Sequence, residues 1–163
     1  MSKTTDPTLL PLGRLVGTWT TEATHPAMPG VVVRGTVVME WLEGERFLIQ
    51  RSRTDHPDFP DAISIIGHMD HDRVEGAGGE VPSADSSPLS IHYFDSRGVF
   101  RILETIVDDA SWQIWRYAAG FSQRFTGAFS DGGDTIAGTW QLRRDDAHWA
   151  DDLAIAYRRQ SAR

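Results

Sequence analysis

The chain has 163 residues, about one domain's worth. Hydrophobic residues make up 40% and charged residues 24%, which excludes a disordered chain, a collagen-like fibre and a coiled coil. There are 16 Lys+Arg against 23 Asp+Glu, a net charge of −7, and the bases Arg51, Arg53, Arg116, Arg124 and Arg158 are scattered between apolar residues, so neither nucleic acid nor an anionic lipid surface is expected as a partner. Cysteine is absent, which leaves no disulfide, thiol nucleophile or thiolate metal site. No apolar run reaches the length of a membrane span, and Met1 to Asp6 opens no signal peptide. A cytoplasmic protein is expected.

In chain order, a short apolar opening (Leu9, Leu10, Leu12, Leu15) predicts one short helix despite Pro11. Period-2 alternation then takes over. It predicts strands over 18–24, 31–42, 46–54, 62–69, 89–94, 99–107, 111–117, 121–129, 135–142 and 152–158. Turn signals punctuate them: His25-Pro26, Glu43-Gly44, His56-Pro57, Asp95-Ser96-Arg97-Gly98, Asp108-Asp109, Gly120, Asp131-Gly132-Gly133-Asp134 and Asp145-Asp146. Residues 72–88 break the rhythm with Gly, Ser and Pro and predict a flexible loop inserted in a single domain over 1–163. About ten strands in a meander must hide their edges, and closure does so most completely. The expectation is an all-β, antiparallel, up-and-down β-barrel with a short N-terminal helix and an interior large enough for one small ligand.

The string Leu12-Gly13-Arg14-Leu15-Val16-Gly17-Thr18-Trp19 resembles the entry of calycin-type barrels, in which a short helix runs into the first strand through Gly-x-Trp. Lipocalins, fatty-acid-binding proteins and nitrobindins share that entry, and the resemblance implies that Trp19 plugs one end. Glu40-Trp41-Leu42-Glu43-Gly44-Glu45-Arg46-Phe47, His56-Pro57-Asp58-Phe59-Pro60, Phe94-Asp95-Ser96-Arg97-Gly98 and Phe121-Ser122-Gln123-Arg124-Phe125-Thr126-Gly127 resemble an uncharacterised bacterial family with a similar predicted barrel. Nitrobindin-like proteins hold haem through a His on a terminal strand. Here His148 precedes the last strand, which has none. Fatty-acid-binding proteins use Arg-x-Tyr on the last strand. Here Tyr157 and Arg159 share a face in reversed order.

Alternation also sorts candidate site residues. Phe121, Gln123, Phe125, Gly127 and Phe129 form an apolar row with one polar member, the pattern by which a pocket orients a guest. Trp112, Ile114 and Arg116 share a face, and Gln113, Trp115 and Tyr117 share the other. Arg51 and Arg53 lie with Phe47 and Ile49, and an arginine in an inward apolar row needs a carboxylate or an anionic ligand. Arg101 and Arg124 also fall within strand patterns, and Glu40 or Glu104 offers an internal partner. The candidate ligand-binding set is therefore Trp41, Arg51, Arg53, Trp112, Trp115, Arg116, Phe121, Gln123, Phe125 and Tyr157. His68-Met69-Asp70-His71-Asp72 lacks a completing ligand, so no metal and no cofactor is expected.

The leading expectation is binding of a small, mostly apolar or amphipathic molecule, with or without a carboxylate, inside the barrel, with a homodimer as the candidate assembly. One alternative is a cofactor-free isomerase, cyclase or hydratase with His92 or Tyr93 moving a proton and Arg51 or Arg116 stabilising negative charge. A haem-binding barrel is another.

Overall fold

The computed structural model describes residues 6–69, 89–145 and 147–161. The proposed loop at 72–88 lies outside them. Each alternating run becomes a strand: β1 (Gly17–Thr24), β2 (Val33–Trp41), β3 (Phe47–Thr54), β4 (Ala62–Gly67), β5 (Leu89–Asp95), β6 (Phe100–Val107), β7 (Ser111–Arg116), β8 (Ser122–Ser130), β9 (Thr135–Arg143) and β10 (Ala150–Arg159). Sequential strands pair antiparallel, and β1 pairs with β10. The sheet thus closes into an up-and-down barrel without an exposed edge. The opening leucines form a 3-10 helix, Leu10–Leu15, rather than an α-helix. Pro11 fits its start, where a missing N–H costs nothing.

One end is a dry plug. Leu9, Leu12 and Leu15 are buried beneath the 3-10 helix together with Trp19, Met39, Leu48, Ile66 and Ile136. The Trp19 indole donates to the Leu15 carbonyl at 2.9 Å, so the buried N–H keeps a partner.

Arg159 locks that plug. Its guanidinium lies 4.1 Å from the Trp19 ring centre. It donates to the Val16 carbonyl, to the Arg14 carbonyl at 2.7 Å and to Asp134 at 3.0 Å. Gly17 makes the room. At φ +140 it holds a conformation that L side chains rarely adopt, and a Cβ there would stand 2.7 Å from Arg159 Nη1. The Gly-x-Trp entry therefore has a local physical cause: Trp19 fills the barrel end, and Gly17 admits the arginine that stacks on it.

Buried aromatic rings continue the plug toward the middle. Trp112 meets Phe125 at 5.6 Å and Tyr157 at 5.8 Å between ring centres. Its indole donates to Thr105 Oγ1 at 3.0 Å, and that hydroxyl donates to the Gln113 carbonyl. Gly127 and Gly138 face each other across β8 and β9, and Phe125 lies over both. Burial pushes the Tyr157 phenol far above its usual range.

Candidate functional site: the polar half of the barrel

The other end gathers the loops that follow β1, β3, β5, β7 and β9. Here the inward row changes character. Cross-strand register aligns Gln50, Ser64, Tyr93 and Arg101 on β3 to β6. It also aligns Arg116 with Gln123 on β7 and β8. Arg101 donates to Gln123 Oε1 at 3.0 Å. Arg116 donates to the Phe121 carbonyl at 3.0 Å. The Arg101 guanidinium also sits 5.1 Å from the Phe121 ring centre. Both arginines, Gln123, Trp140 and Leu142 remain partly accessible at this end. Among the described residues, neither Arg101 nor Arg116 forms an ion pair.

Beside them Tyr93 donates its hydroxyl to Asp95 Oδ2 at 2.8 Å. Burial, and then this hydrogen bond, push the phenol up to about 12. The Asp95 carboxylate is wholly screened from solvent. It accepts from the Arg97 guanidinium at 2.8 Å and from the backbone N–H groups of Arg97 and Val99. The Arg97 contact first, and then Tyr93 and these amides, hold it well below the usual carboxylate range. Asp95 thus closes the β5–β6 turn and steers Tyr93.

A depressed carboxylate contributes stability above its unfolded value, and that contribution disappears as pH falls through the folded value. Asp95→Asn is expected to lower the unfolding free energy by about 2–3 kcal/mol near neutrality. Its deficit against the parent should shrink below about pH 4. Urea unfolding of both proteins from neutral to acid pH checks this, and a deficit constant with pH would contradict it.

Several sequence-derived candidates take other places. Arg51 and Arg53 are exposed and point outward, because the inward row of β3 is Leu48, Gln50, Ser52 and Thr54. Glu40 and Glu104 are also exposed, so the inward arginines meet neutral acceptors instead. Trp115 faces out in register with Arg124. His92 stands on the outer face, with its ring 5.8 Å from Phe100, while Tyr93 points inward. Of the two alternative proton carriers, Tyr93 therefore points into the barrel and His92 does not. Trp41 points inward but packs at the plugged end. Trp112, Phe125 and Tyr157 point inward and are sealed in the core, where they form the floor of the polar half. Phe121 precedes β8 and stands at its rim. Arg116 and Gln123 point inward in the polar half, on the rows of Trp112 and Phe125.

His68 is held by the Thr8 hydroxyl at 2.6 Å, with Asp6 at 3.8 Å. Residues 70–72 of the His68-to-Asp72 string lie outside the described residues. Among the described residues no three His, Asp or Glu side chains gather as a metal site. No described strand turns a His into the interior, so none of them offers a histidine to a haem iron.

Arg101 was visible only as one of several strand arginines, and Asp95 only as a turn residue. Their partners come from distant strands, and strand alternation alone does not reveal those contacts.

A ten-stranded closed barrel entered through a 3-10 helix and Gly-x-Trp is a calycin-like barrel. It is similar over its whole length to the crystal structure of Rv2717c from M. tuberculosis, with TM-score 0.63 and 15% identity, covering 96% of this chain and 99% of that one. It is also similar to the S-type phycobiliprotein lyase CPES from Guillardia theta, with TM-score 0.55 and 9% identity, covering 93% and 92%. No protein-family model matches the chain, and no curated protein does. No helix among the described residues is long and apolar enough to cross a membrane.

Proposed function

We propose that this barrel binds one small, mostly apolar molecule bearing a carboxylate or similar anion. The anionic group meets Arg101 and Arg116, and the apolar body lies against Trp140 and Leu142 above the aromatic floor. The supporting observation is the pair of inward, half-buried guanidiniums whose acceptors among the described residues are neutral, Gln123 Oε1 and the Phe121 carbonyl. A partly desolvated cation gains most from an acceptor that carries charge. A guanidinium fork suits the two oxygens of a carboxylate. The fold alone supports no function, since one barrel hosts many.

Two probes of nearly equal shape test this. 1-Anilinonaphthalene-8-sulfonate carries an anion, and N-phenyl-1-naphthylamine lacks it. Fluorescence titration should give one site per chain with at least about tenfold tighter binding of the sulfonate, the worth of one charge-assisted hydrogen bond. Equal affinities, or no saturable binding of either probe, would overturn the proposal.

A further inference from the structure

Two turns at the open end repeat one pattern. The β1–β2 connection carries His25-Pro26-Ala27-Met28-Pro29, and the β3–β4 connection carries His56-Pro57-Asp58-Phe59-Pro60. Their geometry repeats as well. The Ala27 N–H donates to His25 Nδ1 at 3.0 Å, and the Asp58 N–H donates to His56 Nδ1 at 3.2 Å. The Met28 and Phe59 N–H groups donate to the His25 and His56 carbonyls at 3.0 and 3.1 Å. Each imidazole thus plays the part that an Asn or Asp side chain plays in an Asx turn. A backbone N–H can only donate, so Nδ1 must accept. That assigns both rings to the neutral form with the proton on Nε2.

These turns belong to a chain of links along the rim from β10 to β6. His25 Nε2 donates to Asp152 Oδ1 on β10 at 2.7 Å. Asp55, just before the second turn, accepts from the Arg34 N–H at 3.0 Å and donates its own N–H to the Arg34 carbonyl at 2.9 Å. Asp61, just after it, accepts from the Thr54 N–H at 3.2 Å and exchanges two hydrogen bonds with Ser96 in the β5–β6 turn. Each histidine holds one turn of that chain in shape. Their side chains are 29% and 26% exposed, so protons from solvent reach both rings.

We infer that this half of the rim is an acid-sensitive latch, in which protonation of His25 and His56 releases both turns. Imidazole is the side chain that titrates near neutral pH, and its cation donates from both nitrogens. Nδ1 then meets the Ala27 or Asp58 N–H donor to donor, and the bond that shapes the turn is lost. The carboxylates facing the rings decide where each ring goes. Asp152 accepts from His25 Nε2 in either state, and more strongly from the cation. That ring therefore stays on β10 while its turn lets go. Asp58 Oδ2 lies 4.0 Å from His56 Nδ1, so the new N–H exchanges that residue's amide for its carboxylate. Asp55 and Asp61 are engaged by backbone N–H groups. The latch depends on the turns alone and stands whatever the barrel binds.

Nitrogen-15 NMR of the whole chain tests the inference between about pH 8 and about pH 5, where imidazoles titrate and ordinary carboxylates do not. At the upper end both rings should show the Nε2–H tautomer. As each ring takes up its proton, the Ala27 or Asp58 amide signal should move with the same midpoint. Its protection against hydrogen exchange should fall at least about tenfold, the worth of one hydrogen bond. His25→Asn and His56→Asn separate the proton from the turn. The asparagine oxygen accepts the same N–H and takes up no proton. Each variant should keep its own turn protected across the range while the other turn still responds. Thermal unfolding at neutral pH confirms an intact barrel. Either ring in the Nδ1–H form or neutral down to about pH 5, amides that ignore the titration, or an asparagine variant whose turn still loosens in acid would overturn the inference.

Discussion

Arg101→Met is expected to weaken sulfonate-probe binding by about 10–100-fold, one charge-assisted hydrogen bond of roughly 1.5–3 kcal/mol. The neutral probe should change little. Methionine keeps the unbranched stem and removes only the charged fork, so the packing against Phe121 is largely preserved. Adding Arg116→Met should remove the remaining preference for the anion. Non-additive losses would be informative: the two arginines reach neighbouring acceptors, Gln123 and Phe121, and groups that share partners couple. Parallel titrations of the two probes separate this from general loss of the pocket, which would weaken both. An Arg101→Met protein that keeps its preference for the sulfonate would place the anion elsewhere.

Arg159→Met is expected to cost about 3–4 kcal/mol of stability. The side chain ties Val16 and Arg14 at the end of the 3-10 helix, Asp134 in the β8–β9 turn and the Trp19 ring. Removing it leaves carbonyls short of donors and frees the plug at several points. Gly17→Ala should be comparably costly, from the backbone conformation and from the 2.7 Å approach to Arg159. The double variant should be less unstable than the sum, since without Arg159 the new methyl group has space. Chemical denaturation of the four proteins measures the coupling. Simple additivity would mean that the glycine answers only to its backbone angle.

Much of the fold was legible in the sequence. Alternation is a local property, so each predicted run became a strand, and Gly, Pro and Asp marked the turns between them. Closure followed from the number of strands and the need to hide edges. The pattern did not reveal which face points inward. On β3 the row Phe47, Ile49, Arg51 and Arg53 reads as the apolar face, yet it points outward. The inward row, Leu48, Gln50, Ser52 and Thr54, grows polar toward the opening. Two departures from the usual polarity coincide here: a polar interior half and an apolar outer patch. Either one defeats the rule that apolar residues face the core.

Arg116 and Gln123 were legible for the opposite reason. Their rows contain Trp112, Ile114 and Phe125, whose size demands burial, so the polar members travel inward with them. Trp112 and Phe125 themselves read as pocket lining and proved to be floor. Nothing local distinguishes the two roles. The difference comes from Tyr157, Gly127 and Gly138, which reach them from other strands or let them lie flat. The Tyr93–Asp95–Arg97 cluster was hidden because Asp95 looks like an ordinary turn residue until its register beside Ala62 is known.

The most direct test of the account is the nitrogen-15 NMR spectrum of the protein titrated with the sulfonate probe. The probe can also adhere to exposed apolar surface, so location matters more than affinity. Binding inside the polar half predicts shifts of the Arg101 and Arg116 side-chain N–H signals and of the Gln123 amide. The backbone signals of Ile102 and Ile106 on the outer wall should stay in place. Shifts confined to that wall, with the three inward side chains unmoved, would contradict the account.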